Sequence, residues 1–147
     1  MELAALIISI ISIVASVIMT VWQLVITKQI NRINLSKNEF DLIFSKYLIT
    51  EIPRSRKYLK FDQKNKITGI NYLINTLHEL RKDSLYFNYH NKKFYNELEK
   101  KILELEDYLI TNSNIKYEGS RQTNMLNNVD KMIEDLYSII NNKKIKG

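Results

Sequence analysis

The 147-residue sequence contains no cysteine, one proline and three glycines. Without cysteine there is no disulfide framework, no thiolate ligand for zinc and no cysteine nucleophile. This agrees with a reducing compartment, although a chain without cysteine can reside on either side of a membrane. The scarcity of proline and glycine leaves no flexible linker, so the length accommodates one domain of about 120 residues beside a short terminal segment.

The sequence also lacks the arrangements that enzymes need, since it has no HExxH pair, no glycine-rich phosphate loop and only two histidines. His78 adjoins Glu79, but neighbouring helical residues point about 100° apart, which favours an exposed polar face over a catalytic pair. Arg81 and His90 are nine residues apart, unlike the compact arginine–histidine signature of helical ribonucleases. The acidic residues that follow are spread around one helix: Glu97, Glu99, Glu104 and Glu106. We therefore predict no catalytic residue, no metal site and no cofactor.

The longest apolar run extends from Leu3 to Thr27, 25 residues without a charge. As a helix rising about 1.5 Å per residue it covers roughly 37 Å, enough to cross a hydrocarbon core of about 30 Å with some tilt. It differs from a cleavable signal peptide, because Glu2 stands where a basic start is expected and no small-x-small cleavage site follows. A buried core helix would need its whole circumference covered, which four short amphipathic helices could hardly achieve. We therefore predict a transmembrane anchor at residues 1–27.

Charges beside the apolar run predict its orientation. Lys28, Arg32 and Lys37 follow the run, whereas Glu2 is the one charged side chain before it. Cytoplasmic flanks of membrane helices are enriched in lysine and arginine. The N-terminus is therefore expected outside the cell membrane, and residues 28–147 are expected to form one cytoplasmic domain of a single-pass membrane protein.

One side of the apolar run carries small or polar residues at spacings of three or four. This stripe consists of Ala5, Ser9, Ser12, Ser16, Thr20, Gln23 and Thr27. Small residues let two membrane helices approach closely, and hydroxyl or amide groups can bond across the interface. We therefore predict a homo-oligomer assembled through the stripe. The alternative is that the hydroxyls bond back to carbonyls of their own helix, as they often do in membranes.

Beyond the run, apolar residues keep a helical period to about Glu51. The period predicts a cytoplasmic seam that continues the stripe through Ile30, Ile33, Phe40 and Phe44. A break near Asn34–Asn38 is the alternative, since Ser36 and Glu39 have the spacing of a capping box. A continuous helix and a kinked helix both stay open.

The most basic stretch follows Pro53, which suits the first turn of a short helix over about 54–61. Its charges are Arg54, Arg56, Lys57, Lys60, Lys64 and Lys66, opposed by Asp62 alone. Three interpretations stay open: a solvated charge run, a surface that contacts anionic headgroups and, least favoured, a nucleic-acid contact. For contact with a membrane surface or a partner we single out Arg54, Arg56, Lys57, Lys60 and Lys64.

Three further amphipathic helices are predicted, over residues 66–88, over residues 91–112 and, after the loop SNIKYEGSRQ, from about Met125. The apolar face of the first helix consists of Ile67, Ile70, Leu73, Ile74, Leu77, Leu80 and Leu85. That of the second consists of Phe94, Leu98, Ile102, Leu105 and Leu109. That of the third consists of Met125, Leu126, Val129, Met132, Ile133, Leu136 and Ile140. No alternating strand pattern of useful length is present. The predicted fold is all-α, with an N-terminal transmembrane helix followed by a small antiparallel helical bundle.

The segment from Arg81 to Leu109 has an aromatic-rich turn between two predicted helices. Its characteristic residues are Arg81, Ser84, Leu85, Phe87, Phe94, Tyr95, Leu105, Glu106 and Asp107. The segment resembles small membrane-anchored helical proteins of unassigned function in bacterial phage-defence and mobile-element loci. The resemblance implies a membrane-acting component of an antiviral defence system, such as an effector that perturbs the membrane. The alternative for the aromatic side chains is the packed corner of a helical hairpin, formed by Tyr86, Phe87, Tyr89, Phe94 and Tyr95.

Two functional hypotheses follow from these features. In the first, self-association through the stripe forms a scaffold or a small pore that opens when the cytoplasmic domain receives a signal. In the second, the domain is an adaptor whose aromatic and basic surface holds a soluble protein partner, encoded nearby, at the membrane. Both hypotheses place the protein in a lipid membrane, and neither requires nucleic acid.

Overall fold

The computed structural model of the chain describes residues 2–145. Its elements are α1 (Glu2–Leu42), a π-helix (Ile43–Glu51), α2 (Ile52–Lys57), β1 (Lys60–Phe61), β2 (Ile67–Thr68), α3 (Ile70–Asp83), α4 (Leu85–His90), α5 (Lys92–Asn112) and α6 (Ser120–Ile145). Helices comprise 84 % of the chain, which confirms the predicted all-α class with an apolar N-terminal helix and a helical bundle. The chain divides into two compact units, Met1–Asn38 and Glu39–Gly147, and we call the second the helical domain.

Helix α1 extends past the apolar run. The alternative break near Asn34–Asn38 is absent from the described helix, whose α-helical hydrogen bonding ends at Leu42. The compact units separate after Asn38, whereas Thr27 ends the uncharged run. The boundary after Asn38 reflects how the residues pack, whereas the boundary at Thr27 marks where charged residues begin.

The π-helix brings widely spaced apolar residues onto one face. Nine residues make about 2.5 turns of an α-helix with 3.6 residues per turn, which would place Ile43 and Ile52 on opposite sides. A π-helix joins residues five apart instead of four, so it turns less per residue. Both side chains consequently enter the core, with Tyr47 and Leu48 buried between them.

The predicted cytoplasmic seam is wrong at Phe40. This ring is buried in the helical domain, with its centroid 6.5 Å from that of Phe94. It is therefore occupied within one chain and does not form an exposed continuation of the stripe. Ile30 is exposed, and the side chains of Ile33 and Phe44 lie outside the described part of the structure.

Helices α3, α5 and α6 enclose most of the core. The fully buried side chains on their inner faces include Leu73, Leu77, Leu80, Leu98, Ile102, Leu105, Leu109, Val129, Leu136 and Ile140. The predicted helix over 91–112 is confirmed: Asn91 caps α5, and its Oδ1 accepts a hydrogen bond from the Phe94 backbone N–H at 3.2 Å. The Tyr137 hydroxyl of α6 donates to the Leu48 carbonyl at 2.7 Å, which ties α6 to the π-helix.

A small hairpin stands where the sequence predicted the first turn of a helix beginning at Lys66. Strands β1 and β2 pair antiparallel, with Lys60 opposite Thr68 and Phe61 opposite Ile67. Asp62 organises the turn, because its Oδ1 accepts from the backbone N–H groups of Lys64 and Lys66 at 2.8 and 2.9 Å.

Gly69 explains why α3 begins only at Ile70. Its φ of 79° lies in the left-handed region, where residues with a Cβ are strained. A Cβ at this position would also overlap the Tyr58 carbonyl oxygen. The short helix predicted over 54–61 likewise ends early, at Lys57, because the chain turns into the hairpin after Tyr58, whose carbonyl lies against Gly69.

Candidate functional site

The N-terminal helix is long and apolar enough to span a membrane, as predicted. Among the described residues, the stretch with the length and apolarity of a membrane span is Ile10–Asn31, which contains 22 residues. Every side chain in that stretch is exposed. Because burial of apolar surface is favourable by about 25 cal/mol per Å², a helix that is apolar around its circumference is costly in water, whereas hydrocarbon covers it without that cost.

The predicted stripe lies on this helix, and two of its hydroxyls bond within it. Ser16 Oγ donates to the Ser12 carbonyl and Thr20 Oγ1 donates to the Ser16 carbonyl, each at 2.8 Å. This is the arrangement that the alternative interpretation anticipated. The side chains of Ala5 and Ser9 lie outside the described part. The back-bonded hydroxyls keep their oxygen lone pairs, but their protons are already used, so packing of small side chains becomes the stripe's main contribution.

Gln23 differs from the hydroxyl residues of the stripe. Its side chain is exposed, and within the described residues its carboxamide forms no hydrogen bond. It lies with Met19, Trp22 and Ile26 around a shallow groove of about 200 Å³. A carboxamide in an apolar setting is costly without hydrogen-bond partners, and it has two donors and an acceptor to offer a neighbouring helix.

The basic stretch divides into an engaged arginine and exposed lysines. Arg56 forms a bidentate pair with Asp130, with Nε–Oδ1 at 2.5 Å and a second nitrogen 2.8 Å from Oδ2. This pair joins α2 to α6 and occupies the guanidinium. Arg54 is exposed, and its one ion pair among the described residues is with Glu51, at 3.7 Å.

The remaining predicted contact residues face solvent. Lys57, Lys60 and Lys64 are exposed, and none of the three forms an ion pair within the described part of the chain. Beside them, the exposed rings of Tyr58 and Tyr72 stack with centroids 4.5 Å apart and an interplanar angle of 26°. These side chains form the exposed basic and aromatic surface of the domain.

A polar cluster that the sequence did not predict joins the π-helix to α3. Asp83 Oδ2 accepts from the buried Tyr47 hydroxyl at 2.6 Å and from Lys46 Nζ at 2.7 Å. Burial and the Asp83 hydrogen bond raise the pKa of Tyr47 to about 12. The hydrogen bond to Asp83 likewise raises the pKa of Lys46. Burial opposes ionisation of Asp83, but its bonds to Lys46 and Tyr47 outweigh that effect and lower the pKa of its carboxyl.

A second unpredicted pair lies between α3 and α5. Glu106 is only 6 % exposed, and its Oε1 has no hydrogen-bond donor among the described residues. The nearest charged or chargeable group is His78 Nε2 at 3.4 Å, on a ring that is 53 % exposed. The sequence contained an indication that Glu106 is buried. It is four residues after Ile102 and three before Leu109, which places it on the apolar face of its helix.

The segment that carries the family resemblance forms a packed corner. Ser84, Phe87, Phe94 and Tyr95 are buried, and the rings of Phe87 and Phe94 meet edge-on with centroids 5.0 Å apart. Tyr89 is 83 % exposed and does not belong to the corner. The interpretation of the aromatic residues as one packed corner was therefore wrong for Tyr89.

The predicted absence of a metal site can be compared with the described part of the structure. No group of three or more His, Asp or Glu side chains in the described residues has a metal-binding arrangement. His90 stacks on Tyr86, with ring centroids 4.2 Å apart. No protein-family model, curated protein or solved structure matches this chain.

Proposed function

We propose that this chain is a single-pass membrane protein whose membrane helix self-associates and thereby gathers copies of the helical domain at the membrane. The observation that carries the proposal is the exposed span Ile10–Asn31, whose uncharged part as far as Thr27 is apolar except for one side of small residues and Gln23, which forms no hydrogen bond among the described residues. A helix that served only as an anchor would need neither of those features.

Association of such helices depends on packing and hydrogen bonds, because lipid tails are as apolar as the side chains themselves. Ser12, Ser16 and Thr20 follow one another at intervals of four residues, so their small side chains share one side and allow close approach of two backbones. Gln23 adds carboxamide bonds between copies, and interhelical bonds of this kind contribute about 0.6 kcal/mol on average. Because these weak packing and hydrogen-bond contributions lie along one side of the helix, together they favour a parallel assembly.

The proposed orientation places the helical domain in the cytoplasm. Lys28, Arg32 and Lys37 follow the apolar run on that side. The exposed Lys57, Lys60 and Lys64 are then on the same side as the anionic lipids of the inner leaflet.

For the activity of the assembly we propose a membrane effector, in which associated spans perturb the bilayer or form a small pore. The resemblance of Arg81–Leu109 to membrane-anchored proteins of bacterial defence loci supports this form of the proposal. A second candidate is an adaptor that holds a soluble partner at the membrane. The stacked and exposed Tyr58 and Tyr72 favour it, since exposed aromatic side chains are typical anchors of protein interfaces.

Membrane potential in a bacterial host separates the two candidates. For an effector, expression of the wild-type chain depolarises the membrane, as read with a voltage-sensitive dye. The double substitution Ser12→Leu and Ser16→Leu abolishes the depolarisation, because bulky side chains prevent close approach on the stripe. The matched control, Ile10→Leu with Val14→Leu, retains it. Unchanged potential with a wild-type chain that reaches the membrane contradicts the effector and favours the adaptor.

A further inference from the structure

The polar cleft between α3 and α5 has the features of a ligand site. Its volume is about 360 Å³, and its walls comprise His78, Arg81, Lys82, Leu85, Tyr95 and Glu99. Positive and chargeable groups concentrate on the α3 wall, whereas Tyr95 and Glu99 form the α5 wall. The cleft belongs entirely to the helical domain and is separate from both the stripe and the basic stretch.

Arg81 is the central cation of this cleft. Its side chain is half-buried, and among the described residues no carboxylate forms an ion pair with it. Lys82, the next residue, has only a long contact of 3.8 Å with the exposed Glu79. The planar guanidinium offers paired N–H donors that match two oxygens of a phosphate group. Among the described residues, the cations of the α3 wall therefore form no ion pair shorter than the 3.8 Å contact of Lys82.

A buried carboxylate lies next to the His78 side of the cleft. Glu106 Oε1 lacks a hydrogen-bond donor and lies 3.4 Å from Nε2 of His78. Burying a carboxylate is costly unless a donor or a cation compensates it. His78 therefore lines the cleft while its Nε2 lies beside the buried carboxylate of Glu106.

We propose that this cleft binds the phosphate group of a small phosphorylated molecule, with Arg81 as the bidentate donor, Lys82 as the supporting cation and the His78 ring on the same wall. Leu85 and the ring of Tyr95 provide apolar surface for the remainder of the ligand. On the opposite wall, Glu99 accepts a hydrogen bond from the Tyr95 hydroxyl at 3.2 Å. The negative charge of Glu99 repels further anionic groups of a ligand. The site is therefore suited to a monophosphate and not to a polyphosphate. This inference does not depend on self-association of the span.

The test uses the purified full chain in dodecyl maltoside, a detergent without phosphate, and isothermal titration calorimetry. Inorganic phosphate and adenosine 5′-monophosphate probe a free ligand, dihexanoyl phosphatidic acid probes a lipid headgroup, and adenosine is the control without phosphate. We expect binding of at least one phosphate probe and none of adenosine. Binding of phosphatidic acid alone assigns the site to a lipid headgroup, and binding of the soluble probes assigns it to a free metabolite; both support the proposal.

Two cleft variants and one control variant decide whether binding occurs in this cleft. Arg81→Gln should weaken binding about tenfold or more, because a charge-assisted bidentate contact is lost. Lys131→Gln on α6 removes the same charge from an exposed position outside the cleft and should leave binding unchanged. Lys82→Gln, at an exposed position that tolerates substitution, should weaken binding less than Arg81→Gln. Absence of phosphate binding by the wild-type chain, or equal binding by the wild-type chain and both cleft variants, overturns the proposal.

Discussion

Two regions of this chain hold the same kind of apolar side chain in opposite surroundings. Ile18 in the N-terminal helix α1 is 59 % exposed, whereas Ile102 in α5 is 0 % exposed. The helical domain covers its apolar surface within one chain through the packing of α3, α5 and α6. The N-terminal helix does not cover its apolar surface, and we propose that lipid and further copies of the chain cover it. Identical substitutions in the two regions should therefore have different consequences.

The largest contrast is expected from matched isoleucine-to-alanine substitutions. Ile102→Ala should destabilise the helical domain by about 2–5 kcal/mol, since it removes buried methylene groups and leaves a cavity. Ile18→Ala should leave the free energy of unfolding of the domain unchanged. Urea denaturation of the full chain in detergent, followed by near-ultraviolet circular dichroism of tyrosine, measures both. Equal destabilisation would show that the span is part of the domain's cooperative unit.

A smaller contrast is expected between two glycines within the domain. Gly69→Ala should cost about 1–3 kcal/mol from left-handed backbone strain, and more because its Cβ meets the Tyr58 carbonyl. Gly119→Ala is the control, because Gly119 also has a positive φ but nothing lies within 4 Å of an added Cβ. Urea denaturation should rank Gly69→Ala as the more harmful. The reverse order would contradict the packing of Tyr58 against Gly69.

The periodic elements were predictable from the sequence because their signals are local. The uncharged run to Thr27 indicated the apolar helix, and the spacing of Leu98, Ile102 and Leu105 indicated the buried face of α5. The π-helix was not predictable, because Ile43 and Ile52 share a face only if the backbone departs from α-helical geometry. Helical period alone assigned the wrong environment to that segment.

The polar contacts were not predictable because they join residues far apart in the sequence. Arg56 and Asp130 are 74 residues apart, and Lys46 and Asp83 are 37 apart. Nothing local distinguishes Arg56 from its exposed basic neighbours, so the sequence placed all of them on one contact surface. The self-association stripe remains a prediction, and only an assembly of several copies tests it.

If the helical domain binds anionic lipid, then both regions of the chain contact the membrane. We expect a fragment from Lys28 onward to co-sediment with phosphatidylglycerol vesicles at low salt, since each lysine near such a surface contributes about 1 kcal/mol. Replacement of Lys57, Lys60 and Lys64 by glutamine should abolish most of this binding, and added salt should screen the rest. Retained binding by the triple variant would assign these lysines to a solvated surface only.

The smallest effect concerns the junction where the π-helix meets α3. The raised pKa of Tyr47, about 12 against an ordinary 10.0, means that the unfolded chain ionises first as pH rises, so stability falls between these values. The raised pKa of Lys46 acts in the same direction, whereas the lowered pKa of Asp83 gives stability that is lost as pH falls below its ordinary 3.8.

Tyr47→Phe should cost about 1 kcal/mol near neutral pH through the lost hydrogen bond to Asp83 and should reduce the alkaline loss of stability. Urea midpoints at about pH 8 and pH 11 measure both effects, with reference to the ordinary phenol pKa of about 10. Tyr89→Phe is the control, since Tyr89 is exposed to solvent. An alkaline loss of the same size in wild type and Tyr47→Phe would show that other groups cause it.

Self-association of the membrane helix in a lipid bilayer tests the central difference between the two regions most directly. Full-length chains labelled with donor and acceptor fluorophores are reconstituted into vesicles, and energy transfer is measured as protein is diluted with lipid. We predict transfer for the wild-type chain, its loss with Ser12→Leu and Ser16→Leu, and its retention with Ile10→Leu and Val14→Leu on the other side. A wild-type chain that is monomeric at all dilutions, or two pairs of substitutions that are equally harmless, would contradict self-association through the stripe.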